Sequence, residues 1–135
     1  MKQTQLKIQT NGIGLYEITD SILKSFQELP ETGLLNIFVQ HTSCSLLIQE
    51  NADPTARQDL EEFLDRLVPM NQSSHRHTLE GPDDTVSHLK SAITATSLNI
   101  PIVSHQLGLG TWQGIYLWEH RESSKTRTLI ATISS

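Results

Sequence analysis

Two helix-forming stretches lie side by side in the middle of the chain, and the segments before and after them are rich in strand-forming residues. That order limits the fold more than any other feature. A doubly wound sheet needs strands and helices in alternation, whereas grouped helices between grouped strands favour antiparallel pairing. The expected fold is therefore α+β: an antiparallel sheet or sandwich with helices packed on one side. The 135 residues allow one hydrophobic core and a single domain, residues 1–135, but not two.

The individual elements follow from local pattern. Leu6 and Ile8 alternate with Lys7 and Gln9, and a turn at Asn11 and Gly12 leads into Ile13 to Ile18, which reads as an opening hairpin. Asp20 is placed to cap a short helix over residues 21–29 that Pro30 ends. Residues 34–50 are too rich in β-formers for a helix and read as one long strand, or two separated by a kink. Residues 54–68 form the clearest helix, with Asp53 as N-cap, Pro54 at the first position and Ala56, Leu60, Phe63, Leu64 and Leu67 on one face. After a polar loop over 71–81, Asp83 or Asp84 caps a second helix running to about Thr96. Its inward residues are expected to be Val86, Leu89 and Ile93, with Ser87, Lys90 and Ser91 outward. A strand begins at Pro101, and residues 112–119 and 127–133 read as a hairpin across the turn 122–125.

Composition narrows the function. Ten basic residues against fifteen acidic ones, a net charge of −5, leave no cationic excess to neutralise phosphates, so nucleic acid is not an expected partner. The single cysteine, Cys44, allows no internal disulfide, and no apolar run reaches signal-peptide or membrane-spanning length. A cytoplasmic protein without membrane association is expected. Six histidines stand out against this background.

In an extended strand His41, Ser43 and Ser45 share one face while Cys44, Leu46 and Ile48 share the other, so Cys44 reads as a small core hydrophobe rather than a nucleophile. A bulge at Thr42 would reverse that parity. His88 falls at the edge of the apolar arc of its helix, beside Ala92 and Ala95, and either packs there or faces a cleft. His75 and His77, two apart in the preceding loop, are compatible with a zinc site or with a solvated loop. The segment 108–114, GLGTWQG, either offers backbone amides to an anion, helped by Thr111 and Gln113, or is a glycine turn entering a strand. Gln113 and Glu119 lie ~20 Å apart along that strand, so one small site cannot use both unless another chain brings them together.

Taken together, FVQHTSCSLLIQENADPTARQDLEEFL, HRHTLEGPDDTVSHLKSA and LGTWQGIYLWEHR, followed by the Arg127 strand, resemble the YjbQ family, also called secondary thiamine-phosphate synthases. The resemblance covers nearly the whole chain. It implies a homotrimer with sites near subunit boundaries, low thiamine-phosphate synthase activity on small phosphorylated metabolites, and a metal-compatible cluster carried by His41, His77 and His88. Asn51 and Asp53 match the family's acidic turn, and Glu80, Gly110, Thr111, Trp112, Gln113 and Glu119 match its other motif positions. His75 and His105 match none.

Joining a pyrimidine pyrophosphate to a thiazole phosphate requires stabilising the departing oxygens and excluding water from the pyrimidine cation. On this expectation a divalent ion on His41, His77 and His88 contacts phosphate, Ser43, Gly110, Thr111 and Gln113 help bind it, Arg127 adds positive charge, and Glu119 is a candidate general base. Mg²⁺ prefers oxygen ligands whereas Zn²⁺ suits imidazoles, so metal-dependent hydrolysis of a phosphorylated metabolite competes with synthesis. A non-catalytic trimer that binds a metal or small anion is the third possibility.

Overall fold

Leu35, Ile37 and Val39 are buried, while Leu34 and Phe38, which alternate with them, are exposed. This period-two pattern makes a strand two-faced, and each apolar face must be covered by a second layer. A computed structural model describing all 135 residues shows how the chain meets that demand. In chain order the strands are β1 (Lys2–Asn11), β2 (Gly14–Glu17), β3 (Thr32–Val39), β4 (Cys44–Glu50), β5 (Ser97–Val103), β6 (Gln106–Leu107), β7 (Gln113–Glu119) and β8 (Ser124–Ser134). The helices are α1 (Thr19–Lys24), α2 (Pro54–Leu67) and α3 (Pro82–Ala92).

All strand pairs are antiparallel, in a five-stranded sheet of order β1-β8-β3-β5-β6 and a three-stranded sheet of order β2-β7-β4. The main core lies between the sheets, where Leu35, Ile37, Ile100, Leu129 and Ile133 meet Cys44, Leu46, Ile115 and Leu117, with Ile22 of α1 added. Leu64 of α2 packs with Leu15, Tyr116 and Trp118 on the other face of the three-stranded sheet, and α3 joins that side through Ser91 Oγ, which donates to the Cys44 carbonyl. The expected α+β sandwich with its larger helices on one side is the fold observed. No helix is long and apolar enough to cross a membrane.

Several local expectations are corrected. β1 and β2 do not form a hairpin: β1 pairs with β8 and β2 with β7, because the chain crosses between layers at Gly12, whose φ of 113° suits glycine. The same holds for β7 and β8, which lie in different sheets despite a hairpin-like turn. Residues 34–50 form two strands separated around His41, the second of the two expected forms, and these strands lie in different sheets. That break ends the expected facial alternation: Ser45 stays in β4, while His41 turns back onto β8. Cys44 does sit in the core, fully buried, and burial pushes its thiol up to about 12, which leaves it protonated. Helix α1 is only six residues long, and Phe26 and Leu29 reach the core from the irregular segment after it.

Asp53 caps α2 as expected, accepting the Thr55 N–H at 2.9 Å. Helix α3 departs most from its apolar pattern. Ser87, Lys90 and Ser91 are buried whereas Leu89 and Ile93 are exposed. Each buried polar group has a partner: Ser87 donates to the Asp84 carbonyl, Ser91 to that of Cys44, and Lys90 Nζ to Asp65 of α2 at 2.5 Å. Satisfied hydrogen bonds remove most of the burial penalty, so the helix is rotated by its polar anchors rather than by its leucine and isoleucine. Gly81, not Asp83 or Asp84, precedes its first turn, and neither aspartate caps the helix.

The two sheets are also joined by a buried ion pair. Glu119 of β7 is fully buried, and both its oxygens are bonded to Arg127 of β8; Thr10 of β1 donates to Oε1 at 2.6 Å. Burial works against the charged guanidinium, but the hydrogen bond and charge of Glu119, with a contribution from Cys44, raise the Arg127 pKa above its ordinary value. Removing one partner strands the other charge in a low dielectric. Glu119→Gln should therefore cost about 3–5 kcal/mol in urea unfolding at neutral pH, and the double change Glu119→Leu with Arg127→Met should recover much of it. A loss below about 1 kcal/mol, the scale of an exposed pair, would show that the bridge contributes little.

Candidate metal centre

The loop after α2 brings His77 against the first turns of α3, where Asp84 and His88 lie one helical turn apart. The ligand atoms of His77, Asp84 and His88 all lie within 4.8 Å of one another. Asp84 Oδ2 is in hydrogen-bond contact with His77 Nε2 and 3.2 Å from His88 Nε2, while Oδ1 accepts from Arg121 Nη1 at 2.6 Å. The Asp84 side chain is 2% exposed, but those of His77 and His88 are 53% and 40% exposed, so the cluster opens to solvent on its imidazole side.

The hydrogen bonds determine what this cluster can accept. His88 Nδ1 lies 2.9 Å from the Thr42 carbonyl oxygen, which only accepts, so Nδ1 carries the proton. In a neutral ring Nε2 then points a lone pair at a carboxylate oxygen, and only a proton or a metal cation between them makes that contact attractive. Two imidazoles and one carboxylate oxygen are a donor set suited to Zn²⁺ and similar ions, and the carbonyl that fixes the His88 tautomer is the support such ligands receive in metal sites. Burial pushes the Asp84 carboxyl upward, but the His77 hydrogen bond and the charges of His88 and Arg121 hold it below the usual range, keeping it a carboxylate. The residues present thus fit a divalent transition metal.

The expected site residues fall into three groups. His77 and His88 come together, with Asp84 rather than His41 as their companion. His41 accepts the Thr128 N–H through Nε2 at 2.8 Å and has the Arg127 guanidinium 3.4 Å from Nδ1. Burial, then the Arg127 charge, lowers its pKa, so it is a neutral ring tied to the five-stranded sheet and is not presented to the cluster as a ligand. It does share with His88 a cleft of about 460 Å³, lined also by Thr42, Ser91, Ala92 and Thr96.

The second group is the buried bridge. Ser43 lends its carbonyl to Arg127 Nη2 at 3.2 Å, and Glu119 and Arg127 are spent on each other. This geometry gives Glu119 no path to act as a general base and leaves Arg127 no free charge for phosphate. Asn51, Asp53, Gly110, Thr111 and Gln113 form the third group at the opposite end of β4 and β7, where Glu50 pairs with Gln113. There the Gly110 N–H donates to Gln113 Oε1 at 2.8 Å and the Asn51 N–H to the Trp112 carbonyl at 3.0 Å, so the Gly110 amide and the Gln113 side-chain oxygen are taken up within the turn.

Sequence reasoning missed Asp84 as a candidate ligand, Asp83 and Arg121 beside it, and His120 altogether. The signal for Asp84 was its i,i+4 spacing to His88, which the capping reading obscured. His120 is fully buried, with Nε2 2.9 Å from Ser45 Oγ and Nδ1 without a hydrogen-bond partner. Burial first, then the charges of Lys90 and Arg127, lowers its pKa from 6.5 to about 3. Between these values the unfolded chain binds a proton that the folded chain does not, so stability falls as pH drops below 6.5 and the loss levels off below about 3. Urea unfolding between pH 6 and 4 should therefore show a slope reduced by up to about 1.4 kcal/mol per pH unit in His120→Gln. Equal slopes for the two proteins would mean that this imidazole titrates normally.

Comparison with known proteins agrees with this architecture. The family model described as "UPF0047 protein YjbQ-like" matches residues 4–135. The UPF0047 protein sll1880 of Synechocystis is 47% identical over 98% of this chain and 90% of its own length. The UPF0047 protein YjbQ of Escherichia coli O157:H7 is 43% identical over 97% and 96%, respectively. Among solved structures, the conserved hypothetical protein TT1486 of Thermus thermophilus superposes with a TM-score of 0.87 at 34% identity, covering 97% of this chain and 99% of that one. With the family model spanning residues 4–135 and relatives 43–47% identical over nearly the whole length, the chain belongs to the YjbQ-like UPF0047 family.

Proposed function

We propose that the chain is a divalent-metal-dependent hydrolase of a small phosphorylated metabolite, with His77, Asp84 and His88 as the metal ligands. The observation that carries this reading is the placement of Asp84 Oδ2 between two imidazole Nε2 atoms, one of them in a ring whose Nδ1–H donates to the Thr42 carbonyl, so that the neutral form of that ring offers its Nε2 lone pair to a cation. A divalent ion held by these three residues would supply a Lewis acid to polarise a phosphate or activate water.

The protein's own groups do the rest. Asp84 stays ionised and so offers charge as well as an electron pair. The cleft between His41 and His88 gives a small metabolite room beside the ligands, and the neutral His41 ring leaves that wall without a charge of its own. Thiamine-phosphate synthesis, which the family resemblance implies, needs water kept from a pyrimidine cation. Side chains as exposed as His77 and His88, 53% and 40%, favour hydrolysis instead. The working form on this reading is the homotrimer that the family resemblance implies, and Leu34, Phe38 and Val103, exposed on the outer face of the five-stranded sheet, are apolar surface that a subunit contact would cover.

Purified protein loaded with Zn²⁺ and freed of excess should retain a single ion per chain by elemental analysis. His77→Ala, Asp84→Ala and His88→Ala should each lose it, whereas His41→Ala should keep it. The loaded protein should release phosphate from at least one member of a panel of phosphorylated metabolites, and a chelator should stop the release. Zinc retained with no phosphate released from any of them would replace the hydrolase with a metal-binding protein, and thiamine phosphate formed from its two precursors would restore the synthase.

A further inference from the structure

Arg121 stands directly after His120 in the connection from β7 to β8, and its side chain is only 16% exposed. Nε donates to Asp83 Oδ2 at 2.9 Å, Nη1 to Asp84 Oδ1 at 2.6 Å and Nη2 to the Glu80 carbonyl at 3.4 Å. Its own backbone N–H donates to Glu119 Oε2 at 3.1 Å, and the next amide, of Glu122, donates to Asp83 Oδ2 at 2.9 Å. The fork is thus anchored to the buried bridge behind it and grips the start of α3 in front.

The guanidinium divides the two oxygens of Asp84. Oδ1 is held by Nη1 and engaged on the Arg121 side, whereas Oδ2 is the oxygen that faces His77 and His88. Coordination number follows from this. A carboxylate bound through both oxygens suits large, hard ions that take six to eight oxygen ligands, whereas one carboxylate oxygen with two imidazoles suits a small four-coordinate ion. The same guanidinium offsets the negative charge of Asp83 and Asp84, which would otherwise draw hard cations without discrimination.

We propose that Arg121 is a positioning residue that restricts Asp84 to a single ligand oxygen and thereby sets the preference of the centre for Zn²⁺-like over Mn²⁺-like ions. This rests on the metal-centre reading above. Arginine is required because a planar fork can hold two carboxylates in fixed orientation, which a lysine ammonium cannot.

The test measures Zn²⁺ affinity by competition with a chromophoric chelator and Mn²⁺ affinity by electron paramagnetic resonance, in wild type, Arg121→Gln and Arg121→Lys. Folding of each is checked by circular dichroism. Loss of an outer support of this kind should weaken Zn²⁺ binding ~10–100-fold. Mn²⁺ binding should fall less or rise, so the ratio of the two affinities should shrink in both variants, by ~10–100-fold where Mn²⁺ binding is unchanged. If Arg121→Gln does not fold, Arg121→Lys, which keeps the charge but not the fork, decides alone. A ratio equal to that of wild type in either folded variant overturns the proposal, including when both affinities fall together. Failure of wild type to retain Zn²⁺ overturns the metal centre itself, whereas retention with an unchanged ratio overturns only the role of Arg121.

Discussion

Glu119 and Arg127 are the groups through which the two layers of this protein are tied, and much of its other polar structure is arranged around them. A carboxylate with no solvent exposure is tolerated only if both oxygens are fully bonded, and here Arg127, Thr10 and the amides of His120 and Arg121 supply the donors. The pair links β7 of one sheet to β8 and β1 of the other, so it fixes how the sheets stack as well as neutralising itself. The two amides that close the bonding of Glu119 belong to the residues that also carry Ser45's partner His120 and the aspartate clamp Arg121.

This connects the core to the candidate centre by a short physical route. Arg121 is held from behind by Glu119 and reaches forward to Asp83 and Asp84. On the other side, the break between β3 and β4 sends His41 back to the Thr128 amide and leaves the Thr42 carbonyl free to orient His88. The chain therefore places the His88 imidazole and the Asp84 carboxylate by means of groups next to or bonded to the sheets, whereas His77 is held by α3 itself.

The parts of this arrangement that were readable in advance are those set by neighbours in sequence. Asp53 and Pro54 start α2, Cys44 and Leu46 face the core, and residues 34–50 prefer extended backbone. The α3 pattern misleads because leucine and isoleucine are expected to face inward. Instead Ser87, Lys90 and Ser91 each found a partner, in Asp84, Asp65 and Cys44 respectively, two of them far away in sequence. Once these groups are satisfied, burying them costs little, and the apolar residues on the opposite face are left in solvent. The candidate site was half legible for the same reason. His77 and His88 are close in sequence and converge, whereas the exchange of His41 for Asp84 depended on which groups claimed His41 first.

The amino-acid order by itself determined the class of fold, the capped helix, the core position of the lone thiol and a concentration of imidazoles near the start of α3, because each follows from periodicity, backbone stereochemistry or residue type over a few positions. Only the tertiary structure decided that β1 and β2, β3 and β4, and β7 and β8 part into opposite sheets, that α3 turns its polar side inward, and that Asp84 rather than His41 stands with the two histidines. Those outcomes are competitions among distant hydrogen-bond partners for buried positions, and no local pattern records which partner wins.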